Sequence, residues 1–137
     1  MSDSTKFRNA MSSSTKLLQQ DQHDQALRIV DEEIAEAVCI GENSWVCTLC
    51  HHAAIIARFT NNLDLAKHYY EQSLASNPES VNALYGLATV YRDQRQPEVA
   101  KEYAMRCYDA LMRDDSDILK AHLLESLSKD WPDVARR

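Results

Sequence analysis

The segment Cys47-Thr-Leu-Cys50-His51-His52 is the part of this chain whose residue types and spacing most resemble a cofactor-binding site. C-x-x-C-H is the spacing that attaches a c-type haem, and thiolates with imidazoles also bind zinc or copper. Neighbouring residues on a helix are rotated by about 100°, so His51 and His52 cannot both face the two sulfur atoms. A zinc or copper site of Cys47, Cys50 and His51 is one interpretation, reversible thiol chemistry is a second, and packing in a helical core is the third.

The sequence contains none of the common catalytic motifs. It has no Gly-rich phosphate loop, no H-E-x-x-H and no G-x-S-x-G, and two glycines, Gly41 and Gly86, cannot build a nucleotide cradle. We therefore expect a protein that is not an enzyme and that holds no cofactor.

The overall charge and the distribution of apolar residues restrict the cellular setting. The 137 residues carry a net charge of −6, which argues against general binding to nucleic acids or to anionic membranes. The N-terminal residues lack an apolar signal segment, and no apolar run approaches the roughly 18 residues of a membrane span. These features predict a cytoplasmic protein whose cysteines are thiols and in which haem attachment is unexpected.

The elements that must position these residues are helices. Apolar residues recur at spacings of three and four, glycine is nearly absent, and no sustained alternation of apolar and polar residues occurs. The predicted fold class is all-α. The expected helices cover about residues 5–20, 24–39, 45–60, 63–76, 80–94, 97–113 and 117–129. Gly41 should end the second helix, and Ser44 should cap the third.

An internal repeat organises these helices into pairs. Ala66 and Ala100, and likewise Tyr69 and Tyr103, are equivalent residues 34 positions apart. An earlier copy places Ala26 at the same position but 40 residues before Ala66. The six extra residues form an insertion around residues 41–46, which we expect to lengthen the link between the first two hairpins.

At these residues the chain resembles the tetratricopeptide repeat family. The family spacing is carried by Leu84, Leu87, Ala88, Tyr91, Ala100 and Cys107, by Cys50, Ala53, Ala54, Ala57, Ala66, Tyr70 and Pro78, and less fully by Ser14, Leu17, Ala26 and Val30. The resemblance implies three helical hairpins that form a short right-handed solenoid, with a C-terminal capping helix. The corresponding boundaries are a single domain at 1–130, repeats at about 7–40, 47–80 and 81–114, a capping helix at 117–129 and a tail at 131–137. Trp131 should fold back, and Pro132 should end the last helix.

The register of the resemblance favours packing as the role of the Cys47–His52 segment. Cys50 takes a position that the family buries on the first helix of a hairpin, and Cys47 lies one turn before it. A buried cysteine behaves as a small apolar residue. Metal or redox chemistry at Cys47, Cys50 and His51 stays a lesser alternative.

The resemblance also implies that partners contact the first helix of each hairpin on a concave surface. The predicted contact residues are His51, Ile55, Arg58 and Phe59 in the second repeat and Asn82, Tyr85, Thr89 and Arg92 in the third, with Met11 and Thr15 as counterparts in the first. Arg58 and Arg92 are equivalent residues, and arginine beside aromatic rings suits a peptide that carries carboxylates. The alternative is that both arginines only interact with the C-terminal dipoles of their helices.

The predicted function is that of a non-catalytic adaptor that binds a peptide or helix of a partner protein in this groove. Two other functions stay open, a chaperone-like holder of a secreted partner and a self-associating scaffold. We expect a protein or peptide partner, no nucleic acid and no membrane, and homo-oligomers remain compatible with the sequence.

Overall fold

The computed structural model describes residues 3–113 and 117–135, and these residues are helical except for short turns. The helices are α1 (Asp3–Gln19), α2 (His23–Ile40), α3 (Asn43–Phe59), α4 (Leu63–Ser76), α5 (Val81–Asp93), α6 (Pro97–Arg113), α7 (Asp117–Asp130) and α8 (Pro132–Ala135). No strand occurs in the described part of the chain, so the all-α prediction is confirmed. None of the described helices is long and apolar enough to cross a membrane. The predicted end of the third repeat at residue 114 and the last two residues of the predicted tail lie outside the described residues.

The three hairpins close with the same backbone turn. Asp21, Asn61 and Arg95 adopt positive φ values of 65°, 61° and 62° between the two helices of their hairpins. In each turn the next residue donates its amide to a carbonyl five positions back, at 2.8 Å, 2.8 Å and 2.9 Å. This is the Schellman arrangement that satisfies the last carbonyls of a helix. The turn residues are spaced by 40 and then 34 positions, which are the spacings of the repeats.

The six extra residues after the first hairpin lengthen the two flanking helices and not the link, so the prediction of a longer link was wrong. α2 and α3 have 18 and 17 residues, whereas the corresponding α4 and α5 have 14 and 13. The link from α2 to α3 is only Gly41 and Glu42, and Gly41 takes a left-handed φ of 76° that ends α2 as predicted. The extra residues thus add about one turn to each helix.

Two helix ends differ from the predictions. α3 begins at Asn43 without a side-chain cap, so Ser44 lies inside the helix and does not cap it. Pro132 begins α8 and does not merely end α7, because proline suits a first helical position, where its missing amide hydrogen is not needed. By contrast, Asn62 and Ser80 cap α4 and α5 through their side-chain oxygens.

The chain divides into two compact units, Met1–Pro78 and Glu79–Arg137. Unit 1 contains the hairpins α1–α2 and α3–α4, and unit 2 contains the hairpin α5–α6 followed by α7 and α8. The prediction of a single domain at 1–130 stays a prediction.

Each unit has its own core of small and large apolar side chains. Ala54 and Ala66 in unit 1 and Ala88 and Ala100 in unit 2 are buried, as expected where helices approach closely. The large residues that fill unit 1 include Phe7, Val30, Leu49, Ile56 and Tyr70. Those that fill unit 2 include Leu84, Leu87, Leu111, Leu127 and Val134, so α7 and α8 complete its core.

Candidate functional site

The two cysteines of the Cys47–His52 segment face the interior of unit 1. The thiol of Cys47 donates to the carbonyl oxygen of Ser73 at 3.5 Å, which joins α3 to α4. Cys50 has no exposed surface, and burial raises the pKa of its thiol to about 12. Because thiolates are the reactive and metal-binding form, a protonated, inaccessible Cys50 suits packing better than ligation.

The two histidines of this segment are half-buried. Burial lowers the pKa of both, and the neighbouring His52 and Arg58 lower that of His51 further. The ring of His51 lies against that of Tyr70, with centroids 6.3 Å apart. In the part of the chain that the structure describes, no group of three or more potential ligands lies close enough to hold a metal ion.

The C-terminal half of α3 carries a pair of exposed apolar residues. Ile55 is 44% exposed and Phe59, one turn later, is 68% exposed. The ring of Phe59 touches that of His23 at the start of α2, with centroids 5.4 Å apart. Arg58 directly precedes Phe59, and within the described residues it forms no ion pair. We call His51, Ile55, Arg58 and Phe59 the α3 surface.

Charge separates the first helix of each unit 1 hairpin from the second. α3 carries Arg58 and no acidic residue. A hollow along α1 is lined by Arg8, Met11, Ser12, Thr15, Lys16 and Gln19. α2, by contrast, carries Arg28 against Asp24, Asp31, Glu32, Glu33 and Glu36. The acidity of unit 1 is therefore concentrated away from its predicted contact helices.

The predicted contact residues on α5 do not share one environment. Asn82 is exposed, Tyr85 is half-buried and Arg92 is 42% exposed in its side chain. Thr89 is only 3% exposed, and its hydroxyl donates to the carbonyl oxygen of Gly86 at 2.7 Å. Thr89, which the sequence predicted as a contact residue, is thus part of the interior and does not belong to the candidate site.

Tyr85 and Arg92 have a partner within unit 2, at the junction of α7 and α8. The hydroxyl of Tyr85 donates to Oδ2 of Asp130 at 3.0 Å, and Nη1 of Arg92 lies 3.2 Å from the same oxygen. Burial and this hydrogen bond raise the pKa of Tyr85. We call Asn82, Tyr85 and Arg92 the α5 surface.

Trp131 covers the same two residues with its ring. It packs edge-on against Tyr85, with centroids 6.1 Å apart, and Cζ of Arg92 lies 5.2 Å from its ring centroid. Trp131 therefore folds back onto α5, where its ring contacts Tyr85 and Arg92. This cluster was not predicted from the sequence, because the periodicity of a repeat carries no information about which residue follows its last helix.

A comparison with protein-family models finds the tetratricopeptide repeat at residues 48–80 and 81–110. These two matches correspond to the hairpins α3–α4 and α5–α6. A comparison with curated proteins finds no significant match. The hairpin α1–α2 shares its turn geometry with the two matched hairpins.

Proposed function

The chain is a tetratricopeptide repeat protein, a family whose repeats generally mediate protein–protein interaction, and we propose that it is a non-catalytic adaptor that binds a segment of a partner protein. The observation that carries this proposal is the exposed pair Ile55 and Phe59 beside Arg58 on α3. The pair lies on α3, which is one of the contact helices implied by the family resemblance.

The α3 surface has the composition of a small binding hot spot. An exposed phenylalanine that becomes buried contributes roughly 1.5–3 kcal/mol, and aromatic and arginine residues dominate measured interface energies. Arg58 can pair with a carboxylate through two parallel hydrogen bonds. A partner segment with an apolar side chain next to an acidic one fits this arrangement.

The charge distribution supports the same class of partner. An acidic segment is attracted to the basic rim of α1, at Arg8 and Lys16, and is repelled by the acidic α2. The proposal includes a reducing, cytoplasmic setting, which is supported by the free thiols of Cys39, Cys47, Cys50 and Cys107.

The test is affinity capture from a lysate of the native host with a pair of matched variants. One variant carries Ile55→Ala and Phe59→Ala, and the control carries Val38→Ala and Ile40→Ala. Val38 and Ile40 are 54% and 45% exposed, so both variants remove comparable apolar surface. They lie at the C-terminal end of α2, at the opposite end of unit 1 from the C-terminal end of α3.

We expect partners that the wild type and the control retain and that the α3 variant loses. Each such partner is then purified, and its affinity for the three proteins is measured directly. Equal capture by all three proteins would contradict a role for the α3 surface. Capture of this chain alone would favour the self-associating scaffold, and capture of secreted proteins in an unfolded form would favour the holder function.

A further inference from the structure

The contact between the Asp130-Trp131 pair and α5 has the form of a ligand on a binding surface. One carboxylate oxygen of Asp130 accepts from Tyr85 and pairs with Arg92, and the adjacent indole ring covers both residues. Tyr85 and Arg92 are two turns apart on one face of α5. The consecutive residues Asp130 and Trp131 contact both of them.

We propose that the α5 surface recognises a partner segment in which an acidic residue directly precedes an aromatic one, and that Asp130 and Trp131 are the intramolecular competitor for this segment. The inference rests on the proposed function, because it specifies the kind of partner segment that the repeat formed by α5 and α6 binds. It assigns to the C-terminal segment a role beyond completing the core of unit 2.

The chemistry of α5 selects this kind of segment over others. Arg92 supplies a planar cation that interacts with a carboxylate and with an aromatic face at once, which lysine does not match. The second carboxylate near Arg92 is Asp93 on α5 itself, with its Oδ1 3.7 Å from Nε of Arg92. Asp93 keeps this surface from being strongly basic. An acidic residue without an aromatic neighbour therefore competes only weakly with Asp130 and Trp131 for Arg92.

The intramolecular contact can be replaced without unfolding unit 2. The side chains of Arg92 and Asp130 are 42% and 26% exposed, so a competitor has access to the edge of the contact. Leu127 and Val134, on either side of the Asp130-Trp131 pair, are buried and hold α7 and α8 independently of it. A competitor in the same chain acts at a high effective concentration. The apparent affinity for a partner is therefore reduced to the fraction of molecules in which the surface is free.

The test measures binding of a fluorescein-labelled peptide that copies residues 126–134 to the full chain by fluorescence anisotropy. The vacated variant carries Asp130→Asn and Trp131→Ala. The matched control carries Asp133→Asn, which removes an exposed carboxylate of α8 from the same segment. We expect the vacated variant to bind the peptide at least tenfold more tightly than the wild type, and the control to bind it like the wild type.

Two further samples locate the binding. Adding Arg92→Glu to the vacated variant should abolish the gain, and a peptide with Asp130→Asn and Trp131→Ala should not bind. The proposal is overturned if the vacated variant binds within twofold of the wild type, if the gain survives Arg92→Glu, or if the substituted peptide binds equally well.

A second measurement keeps the proposal testable if the vacated variant does not fold. In a Trp45→Phe background Trp131 is the remaining tryptophan, and its emission reports its own exposure. A peptide copy with phenylalanine in place of the tryptophan should shift this emission to the red as it displaces Trp131, and an unchanged spectrum at millimolar peptide overturns the proposal. The readout is independent of Ile55 and Phe59, so its failure leaves the capture test of the proposed function intact.

Discussion

The α3 and α5 surfaces occupy equivalent positions of consecutive repeats, yet they present different chemistry. Ile55 and Thr89 are equivalent residues 34 positions apart, but Ile55 is 44% exposed whereas Thr89 is 3% exposed. Arg58 and Arg92 are equivalent as well, and among the residues that the structure describes only Arg92 has an acidic partner and an aromatic cover. Equivalence within a repeat therefore fixes the position of a residue on its helix but not what covers it.

The largest expected difference between the two surfaces follows from introducing the same charge at both positions. Thr89→Asp should lower the free energy of unfolding by roughly 3 kcal/mol or more, because it buries a carboxylate without a cationic partner. Ile55→Asp should change it by less than about 1 kcal/mol, because that side chain stays in water. Urea unfolding followed by circular dichroism measures both, and similar losses for the two variants would contradict the assignment of Thr89 to the interior.

A smaller difference is expected when the two equivalent arginines are truncated. Arg92→Ala should destabilise the chain by about 1 kcal/mol, the sum of a partly exposed ion pair and a cation–π contact. Arg58→Ala should stay within about 0.5 kcal/mol, as is usual for surface residues. A double-mutant cycle with Asp130→Asn separates the ion pair from the contact with Trp131. A coupling energy of zero would show that the Asp130 contact does not contribute in solution.

The turns of the hairpins in the two units provide a third comparison. Arg95 and Asn61 both have a left-handed backbone, which asparagine tolerates and arginine does not favour. Arg95→Gly should therefore raise the free energy of unfolding by about 0.5 kcal/mol, after the extra freedom of glycine in the unfolded chain is subtracted. Asn61→Gly should leave it nearly unchanged or slightly lower. Thermal unfolding of both variants checks this, and destabilisation by Arg95→Gly would mean that the side chain of Arg95 offsets the backbone cost.

Helix positions were predictable from the sequence because they depend on local periodicity and on repeat spacing. The seven predicted helices were placed to within two residues, α8 was not predicted, and Ala54, Ala66, Ala88 and Ala100 are buried as expected. Whether the insertion lengthens the link or the two helices was not predictable in this way. Its residues continue the apolar pattern, so they could extend two helices by a turn each, and Gly41 then closes α2 with a link of two residues.

The candidate site was only partly predictable, because its exposure depends on long-range contacts. The spacing of Ile55 and Phe59 places both on one side of α3, and the structure leaves both exposed. The partners of Tyr85 and Arg92 come from residues 45 and 38 positions later in the chain, beyond the reach of any helical period. The hairpin turns were also missed as a shared feature, because Asp21, Asn61 and Arg95 replace the glycine that usually signals a left-handed residue.

The smallest expected difference between the repeats is in their response to acid. His51 and His52 in unit 1 correspond to Tyr85 and Gly86 in unit 2, so this half-buried pair of imidazoles belongs to one repeat. Their pKa values are lowered in the folded chain, so the unfolded chain binds more protons as pH falls below the ordinary value of 6.5. Stability from these residues is therefore complete above that pH and is lost below it, down to the lowered pKa values.

Glu33 opposes this effect because burial raises the pKa of its carboxyl above 4.5, so the folded chain gains stability as pH falls through the raised value. A variant with His51→Gln and His52→Gln should thus lose less stability between neutral and mildly acidic pH than the wild type, while His68→Gln, an exposed histidine on α4, should behave like the wild type. Unfolding free energies measured across this range test the point. An equal slope in all three proteins would show that the imidazoles become solvated before the chain unfolds, which would place the Cys47–His52 segment among the locally opening parts of unit 1.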